Sequence, residues 1–341
     1  EMVQSNNWVG FENFSIYQKR TGVFPLEKKL EEQKVRMAVI SCVEQNVKYL
    51  ELRITPKKTS RENYEEIQFL DRAIDMKEDH GEEAGLVNST GKYHRRLRDI
   101  CFYVFHFIKW QDDPVSSQVF CSHRHASHRH EMEEKTLALL EFRHLYPETA
   151  ARVLGIDASS QEIGCRPEVF AQGFRALHSD TSFVYSEKGF QKLPQLRVTY
   201  HVGEDFLDVT DGLRAIDEAI LFLNLDCGDR LGHALALGIS VSDWYQSKQR
   251  HLSIPKQDHL DNLVWLYHAL IRYHILFSDN LKNRIEKDFA KYFGEIYRKH
   301  MDDQFIRAIC NDQERREGIL VHKDNLVFDI HAYYDAWKLR G

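Results

Sequence analysis

The sequence predicts an α/β fold on a parallel sheet, interpreted as an incomplete TIM (β/α)8 barrel with helical insertions. Over residues 1–239, short apolar or β-branched runs alternate with helical patterns, which is typical of βαβ units. Several predicted strands end in polar or ionisable residues, namely Arg53 and Thr55, Asp157, His201 and His233. Because the C-terminal strand ends of a TIM barrel form its active site, this placement favours catalysis.

The strands of this sheet are predicted where short apolar runs stand next to helical patterns. In chain order they are Lys48–Thr55, Ile100–Ile108, Val153–Asp157, Leu196–His201 and Arg230–His233. Helices are predicted at Leu30–Gln45, Glu131–Tyr146, Pro167–Leu177 and Gly212–Leu223. The polar region between the first two strands, about residues 56–98, is interpreted as an insertion or a loop outside the barrel core.

Residues 240–341 are predicted to be a mainly helical insertion or extension of the barrel part at residues 1–239. The helical patterns are Leu260–Ile275, Arg284–Met301 and Phe305–Arg315, with a short strand-like run at Gly318–His322. Apolar side chains recur at helical spacing in the first of these helices, which predicts a buried helix face, with a subunit interface as the alternative.

The composition limits the classes of function. The chain has 341 residues, of which 43% are hydrophobic, and its net charge of −6 argues against broad contact with a nucleic-acid backbone. No apolar run approaches the roughly 20 residues of a membrane span, and the chain does not start with a signal-peptide pattern. The six cysteines are scattered without a CxxC pair, so the reducing cytoplasm is the expected location.

The strongest chemical feature is the run HVGE at residues 201–204, directly after a predicted strand. A histidine at a strand end can present a ring nitrogen to a metal, and a glutamate three residues later can reach the same cavity. Alone, this short run fits a structural histidine and a solvated glutamate equally well. The next predicted strand ends in RLGH at residues 230–233. Since successive parallel strands end side by side, His201, Glu204 and His233 are expected to converge.

Together, VTYHVGEDF and GDRLGHALALG are similar to the HAGE and R-[IL]-G-H-G motifs of the adenosine/AMP deaminase family. The runs YLELRITP and GIDASSQE resemble the second and fourth strands of that family, in the same order. The resemblance covers roughly Lys34 to Gly238 and implies a barrel of the metal-dependent hydrolase type. The predicted strands then correspond to family strands two to six.

The resemblance implies zinc-dependent hydrolytic deamination of a 6-aminopurine. His201 would be a zinc ligand, Glu204 the general acid that protonates the purine ring, and His233 the group that orients the attacking hydroxide. Gly203 and Ser160 would contact the substrate, although Ser160 departs from the family pattern, which has a glycine there. The implied chemistry is physically reasonable because zinc lowers the pKa of bound water to about 7.

The remaining zinc ligands of the family, an HxH pair on strand one and an aspartate pair on strand eight, have no match at the expected places. The HxH runs at residues 123–125 and 128–130 are interpreted as a solvated histidine-rich loop, and Asp279 is not adopted as a ligand. Either these ligands belong to a longer protein, or the chain is a degenerate relative. Intact Glu204 and His233 favour the longer protein.

A closer resemblance relates HVGEDF and the helical run QDHLDNLVWLYHALIRY to the large, divergent adenosine deaminases of bacterial RADAR antiphage systems. It implies adenosine or an adenine nucleotide as the substrate, with conversion of ATP to ITP as one case. It also implies a large homo-oligomeric shell and an ATPase partner protein. The acidic charge balance favours a small-molecule substrate over RNA, and no membrane partner is expected.

Two alternatives stay open at this point. The chain could be another metal-dependent barrel hydrolase, such as an amidase or a phosphotriesterase-like enzyme, although no lysine follows a predicted strand where it could bridge two metals. It could also be a non-catalytic, shell-forming scaffold subunit with a degenerate site. Arg53, at its strand end, is interpreted as the partner of a neighbouring carboxylate in preference to a substrate phosphate.

Overall fold

The computed structural model describes residues 28–75, 85–86, 95–96, 100–111, 125–186, 189–297 and 329–341. Its strands are β1 Leu50–Ile54, β2 Gly85–Leu86, β3 Arg95–Arg96, β4 Cys101–Lys109, β5 Val153–Ser160, β6 Phe183–Ser186, β7 Gly189–Lys192, β8 Arg197–Val202 and β9 Arg230–His233. Its helices are α1 Lys28–Glu44, α2 Ser60–Asp75, α3 Ala126–Leu145, α4 Pro147–Ala150, α5 Ala171–His178, α6 Val209–Leu223, α7 Val241–Ser247, α8 Lys256–Arg272, α9 Asp279–Tyr297 and α10 Ile330–Lys338.

The main sheet has five parallel strands in the order β1-β4-β5-β8-β9, so each later strand of this sheet adds to the same side. These are the strands that the sequence predicts, which confirms the parallel α/β sheet. The pairs β2–β3 and β6–β7 form separate two-stranded antiparallel sheets. Among the described residues β1 and β9 are the two edges of the main sheet, so barrel closure remains a prediction.

One face of the main sheet is apolar and covered by helices. Alternate residues of the central strands, such as Phe105, Phe107 and Tyr200, join a single core with side chains from α2, α3, α5 and α6. Helix α1 covers the β1 end of the same face, where Val39 and Val43 pack on Cys101. A sequential parallel sheet with its helices on one side is the arrangement expected for a segment of a TIM barrel.

The other face of the sheet is polar. Residues one position out of phase with the core point to it, because side chains alternate along a strand. His106 stands opposite Asp157 in the register of β4 and β5, and His201 stands opposite Gly232 in the register of β8 and β9. The alternation therefore sends most of the apolar side chains toward the helices and gathers ionisable side chains on the opposite face.

The described residues after position 240 are helical, and they pack on α6 through a small apolar cluster and a buried ionic network. Arg214 of α6, which is fully buried, donates to Glu218 at 2.7 Å and to Asp211 at 2.8 Å. Asp261 of α8 is also fully buried and accepts from Arg340 at 2.6 Å. Buried charges are tolerated only when they are paired, so this network specifies how the helices dock.

Two local expectations from the sequence are wrong. The region predicted as a polar insertion contains α2, whose Ile67 and Ile74 are fully buried, because its apolar residues recur at helical spacing among many charged ones. His128, expected in a solvated loop, is buried in α3 and stacks on Trp110. His123, Phe305–Arg315 and Gly318–His322 lie outside the described residues. Within the described part of the chain, no helix has the length and apolar character needed to cross a bilayer.

Candidate functional site at the carboxyl edge of the sheet

The structure brings His201, Glu204 and His233 together at the C-terminal ends of β8 and β9. The rings of His201 and His233 lie 5.3 Å apart between centroids, and His233 Nε2 is 3.2 Å from Glu204 Oε2. Two backbone hydrogen bonds join the turns that follow the two strands: Ala234 N–H donates to Val202 at 3.0 Å, and Ala236 N–H donates to Gly203 at 2.9 Å. The expected convergence of the three side chains is therefore present.

A buried carboxylate, Asp157 of β5, organises the polar face next to this group. Its Oδ1 lies 2.8 Å from Nδ1 of His201, and its Oδ2 lies 2.7 Å from Nδ1 of His106. Arg53 of β1 also donates to Oδ2, as the sequence analysis favoured for this arginine. Asp157 is completely buried, so these three donors replace the water that its charge would otherwise require.

Burial favours the neutral form of both imidazoles beside Asp157. Burial, helped by the charge of Arg53, lowers the pKa of His106 to about 4, and burial also lowers the pKa of His201. Since a carboxylate only accepts, each ring carries its proton on Nδ1 and donates it to Asp157. Nε2 of His106 then accepts from the Ser159 hydroxyl at 3.0 Å. Nε2 of His201 is left in the unprotonated form that binds metals.

The glycines of the HVGE and RLGH motifs are required by close contacts. A Cβ atom at Gly232 would lie 2.7 Å from the His201 ring, so the backbone of β9 lies flat against that imidazole. Gly203 has φ +75°, in the left-handed region, and a Cβ atom there would lie 2.7 Å from Ile216. The two glycines let the strand ends approach closely enough to place the catalytic candidates.

The buried carboxyl group of Glu162 supports the HVGE turn through hydrogen bonds to its backbone. Glu162, just beyond β5, accepts from the N–H of Gly203 at 2.7 Å and from the N–H of Glu204 at 3.2 Å. Lys109, the last residue of β4, donates to the carbonyl of His201. Burial raises the pKa of Glu162 to about 7, against the opposing effect of Lys109, and burial lowers the pKa of Lys109. Three backbone groups of the turn are thus held by buried side chains: the carbonyl of His201 by Lys109, and the N–H groups of Gly203 and Glu204 by Glu162.

Lys109 is a buried lysine at the end of a strand of the main sheet, since β4 extends one residue beyond its predicted end. Its Nζ atom lies 4.2 Å from the centre of the Tyr200 ring, on the face that the helices cover. It therefore points away from the face that carries the His201 ring. This position does not suit a lysine that bridges two metals beside His201.

Ser160, the other predicted substrate contact, is the last residue of β5 and has φ +98°. This backbone conformation is unusual for a residue with a Cβ atom and is the one that the family glycine would adopt freely. Ser160 is partly exposed at the same sheet edge as His201. Its contact with a substrate stays a prediction.

A cavity of about 480 Å³ lies behind the HVGE turn, between the sheet edge and the helices. Its lining includes Lys109, Glu162, Tyr200 and Asp205, but not the rings of His201 and His233. Burial, with the nearby charge of Glu204, raises the pKa of Asp205. The cavity and the histidine group thus occupy opposite sides of the same turn.

One side chain at this edge of the sheet, His201, is arranged as a zinc ligand. His201 offers Nε2 with its Nδ1 held by Asp157, which is how carboxylates orient metal-bound histidines. Within the described ranges, no three ligand atoms converge beside His201; the one converging set is His178, Asp226 and Asp229, at the opposite edge of the sheet. The chain therefore has a His/Asp group that could hold a metal, but the residues around His201 do not form a zinc site by themselves.

Sequence reasoning missed the roles of His106, Lys109 and Glu162. His106 lies in the middle of an apolar strand, where a histidine is usually structural, and its link to Asp157 spans 51 residues. Glu162 was part of the GIDASSQE run, but nothing in that run indicates that its carboxylate accepts two backbone N–H groups 41 and 42 residues away. The one usable signal was that Lys109 ends its strand and that Glu162 follows one.

Comparisons with known proteins add little to this geometry. No protein-family model matches the sequence, and no curated protein is significantly similar to it. Among solved structures, the adenine deaminase of Arthrobacter aurescens is similar, with a TM-score of 0.36 and 15% identity. The match covers 69% of this chain and 54% of that chain, so the chain spans about half the length of this neighbour. A likeness of this strength assigns no activity.

Proposed function

We propose that this chain carries part of the active site of a hydrolytic deaminase that acts on a 6-aminopurine, such as adenosine or an adenine nucleotide. The observation that carries the proposal is the 3.2 Å contact between Glu204 and His233 beside the His201 ring, at the C-terminal ends of two neighbouring parallel strands. The resemblance of the HVGE and RLGH motifs to the adenosine/AMP deaminases supports the substrate class.

In the proposed reaction, the oxygen of water adds to the purine carbon that bears the amino group, the bond to that amino group breaks, and ammonia leaves. Of the two protons of water, one replaces the proton that Glu204 gives to the ring and the other passes to the leaving amino group. Glu204 would give its proton to the adjacent ring nitrogen, which makes that carbon more electrophilic. His233 would orient the attacking oxygen and, through its contact with Glu204, hold the acid in place. Gly203 and Ser160 would contribute backbone contacts to the purine.

Zinc belongs to the proposal as the cofactor that His201 would bind through Nε2. When bound, zinc would supply an activated water, because it lowers the pKa of that water to about 7. The other ligands that the resemblance implies are not found beside His201 in the described ranges, so no step above is assigned to the metal. We include ATP as a substrate, antiphage defence, a homo-oligomeric shell and an ATPase partner on the sequence resemblance alone, and a cytoplasmic location on the scattered cysteines.

The test is Glu204→Gln in the full natural protein, assayed for ammonia release from adenosine, adenine and ATP. We expect the variant to fold normally and to lose about 10²- to 10⁴-fold of the wild-type rate, the usual contribution of a general acid. Glu141→Gln, at an exposed position of α3, is the matched control and should keep the full rate.

Equal rates for Glu204→Gln and wild type would remove Glu204 from the proposed role. A correctly folded wild-type protein that releases ammonia from none of the three substrates would contradict the proposed function and favour the scaffold alternative.

A further inference from the structure

A second group of metal-binding side chains lies at the N-terminal edge of the sheet, opposite the candidate active site. His178 is the last residue of α5, Asp226 lies in the loop after α6, and Asp229 directly precedes β9. One ligand atom from each lies within 4.8 Å of the other two. Since a strand rises about 3.3 Å per residue, the length of β8 separates this group from His201 by on the order of 15 Å.

The buried member of the group is His178, with 6% of its surface exposed. Its Nε2 atom is buried and has no hydrogen-bond partner among the described residues. A buried polar nitrogen without a partner is unfavourable, and native proteins rarely leave one unexplained. One of the two ring nitrogens lies within 4.8 Å of a carboxylate oxygen of Asp226 and of Asp229, so a bound cation would give this buried ring a partner.

The two carboxylates keep the capacity to bind a cation. Asp229 Oδ1 accepts from the N–H of Val198 at 2.8 Å, and its Oδ2 accepts from the N–H of Asp226 at 2.9 Å. These bonds fix the carboxylate, and each oxygen retains a second lone pair. Asp226 pairs with Arg197 at 2.9 Å, but both side chains are about half exposed, and such a pair is weak enough to be exchanged for a cation.

We propose that His178, Asp226 and Asp229 bind a divalent cation of the zinc type at the N-terminal edge of the sheet. One imidazole and two carboxylates suit zinc, and three protein ligands leave room for a water ligand. Ligands of a tetrahedral zinc stand about 3.3 Å apart, so the group closes on binding. Asp226 can supply part of this movement because it is exposed and lies in a loop.

The cation would link the end of α5 to the loop that leads into β9. Helix α5 and β9 are otherwise joined through β8 and the core, so the cation would add a direct bond between segments about 50 residues apart in sequence. The inference concerns a structural metal and does not rest on the proposed deaminase function.

The test is zinc titration of the chelator-treated full protein by calorimetry, with zinc chloride as the probe, in wild type and in the variants His178→Ala and Asp226→Asn. We expect wild type to bind zinc, and each variant to lose at least tenfold in affinity at this site. Zinc should also raise the melting temperature of wild type more than that of either variant, because a ligand bound only to the folded state stabilises it.

Two controls separate this site from the one proposed at His201. Asp243→Asn, at an exposed position of α7, should bind zinc as wild type does. His201→Ala should keep the zinc binding that Asp226→Asn loses. If His178→Ala does not fold, Asp226→Asn still decides the matter, since its side chain is on the surface. Zinc binding by Asp226→Asn with wild-type affinity and stoichiometry, or no binding by wild type, would overturn the proposal.

Discussion

Two buried clusters of charge in this molecule differ in what their carboxylates hold. In the network below the C-terminal helices, Glu218 and Asp261 are surrounded by guanidinium groups, with Arg214 and Arg340 donating to them. At the carboxyl edge of the sheet, Asp157 holds two imidazoles as well as Arg53. Both clusters have a fully buried carboxylate at their centre. Only the second leaves an imidazole nitrogen, Nε2 of His201, that can still bind a metal or a proton.

The difference comes from the partners. A guanidinium has only donors and cannot lose its proton at ordinary pH, so an arginine–carboxylate network is complete once its hydrogen bonds are made. The His201 imidazole, whose Nδ1–H donates a hydrogen bond to Asp157, still presents Nε2 to a metal or a proton. A buried carboxylate therefore indicates a reactive site when histidines surround it, and a docking device when arginines do.

The largest effect is expected when the buried ionic network between α6 and the C-terminal helices is broken. Arg214→Leu leaves buried carboxylates without one of their cations and should lower the free energy of unfolding by about 3–5 kcal/mol. The variant should be measured by urea denaturation. Arg272→Leu is the matched control, because Arg272 is half exposed and its pair with Asp217 should contribute less than about 1 kcal/mol. If both variants cost the same, the distinction between buried and exposed pairs fails.

The next effect concerns the acid below the HVGE turn. The pKa of Glu162 is raised to about 7, above its ordinary value of 4.5, so this group favours the folded state fully below pH 4.5. As the pH rises from 4.5 to about 7, this contribution is lost and the free energy of unfolding falls by roughly 3 kcal/mol. Relative to Glu162→Gln, wild type should lose stability across this window and stay level above it. A constant difference between the two proteins from pH 4 to 8 would contradict the assignment.

The smallest expected effect tests the contact between β9 and the His201 ring at the C-terminal edge of the sheet. Gly232→Ala forces a methyl group against the His201 ring and should cost about 1–3 kcal/mol in thermal or urea denaturation. Deaminase activity should fall as well, because the ring is displaced. Gly238→Ala is the control, since a Cβ atom there meets only one backbone oxygen, at 3.9 Å. Equal stability of Gly232→Ala and wild type would show that β9 does not lie against His201.

The sequence determined more of the fold than of the site. The five strands of the main sheet follow from local apolar runs, and their prediction missed mainly the ends, as at Lys109, where a buried lysine continues a strand. Helix α2 was missed because its many charged residues hide a narrow apolar face. His201, Glu204 and His233 were found because their motifs sit at strand ends, and parallel strands place such ends together.

Only the tertiary structure decided which residues surround them. In the sequence, Asp157 is 51 residues from His106 and 44 residues from His201, yet it contacts both. Glu162 is 41 residues from Gly203 in the HVGE turn and contacts its N–H group. Such contacts depend on strand register, and a shift of one residue would send Asp157 to the helix-covered face. Local sequence patterns specify that each strand forms. The register of the strands brings Arg53, His106, Asp157 and His201 into one cluster. This register is a property of the whole sheet, because it is set by the packing of the opposite, apolar face.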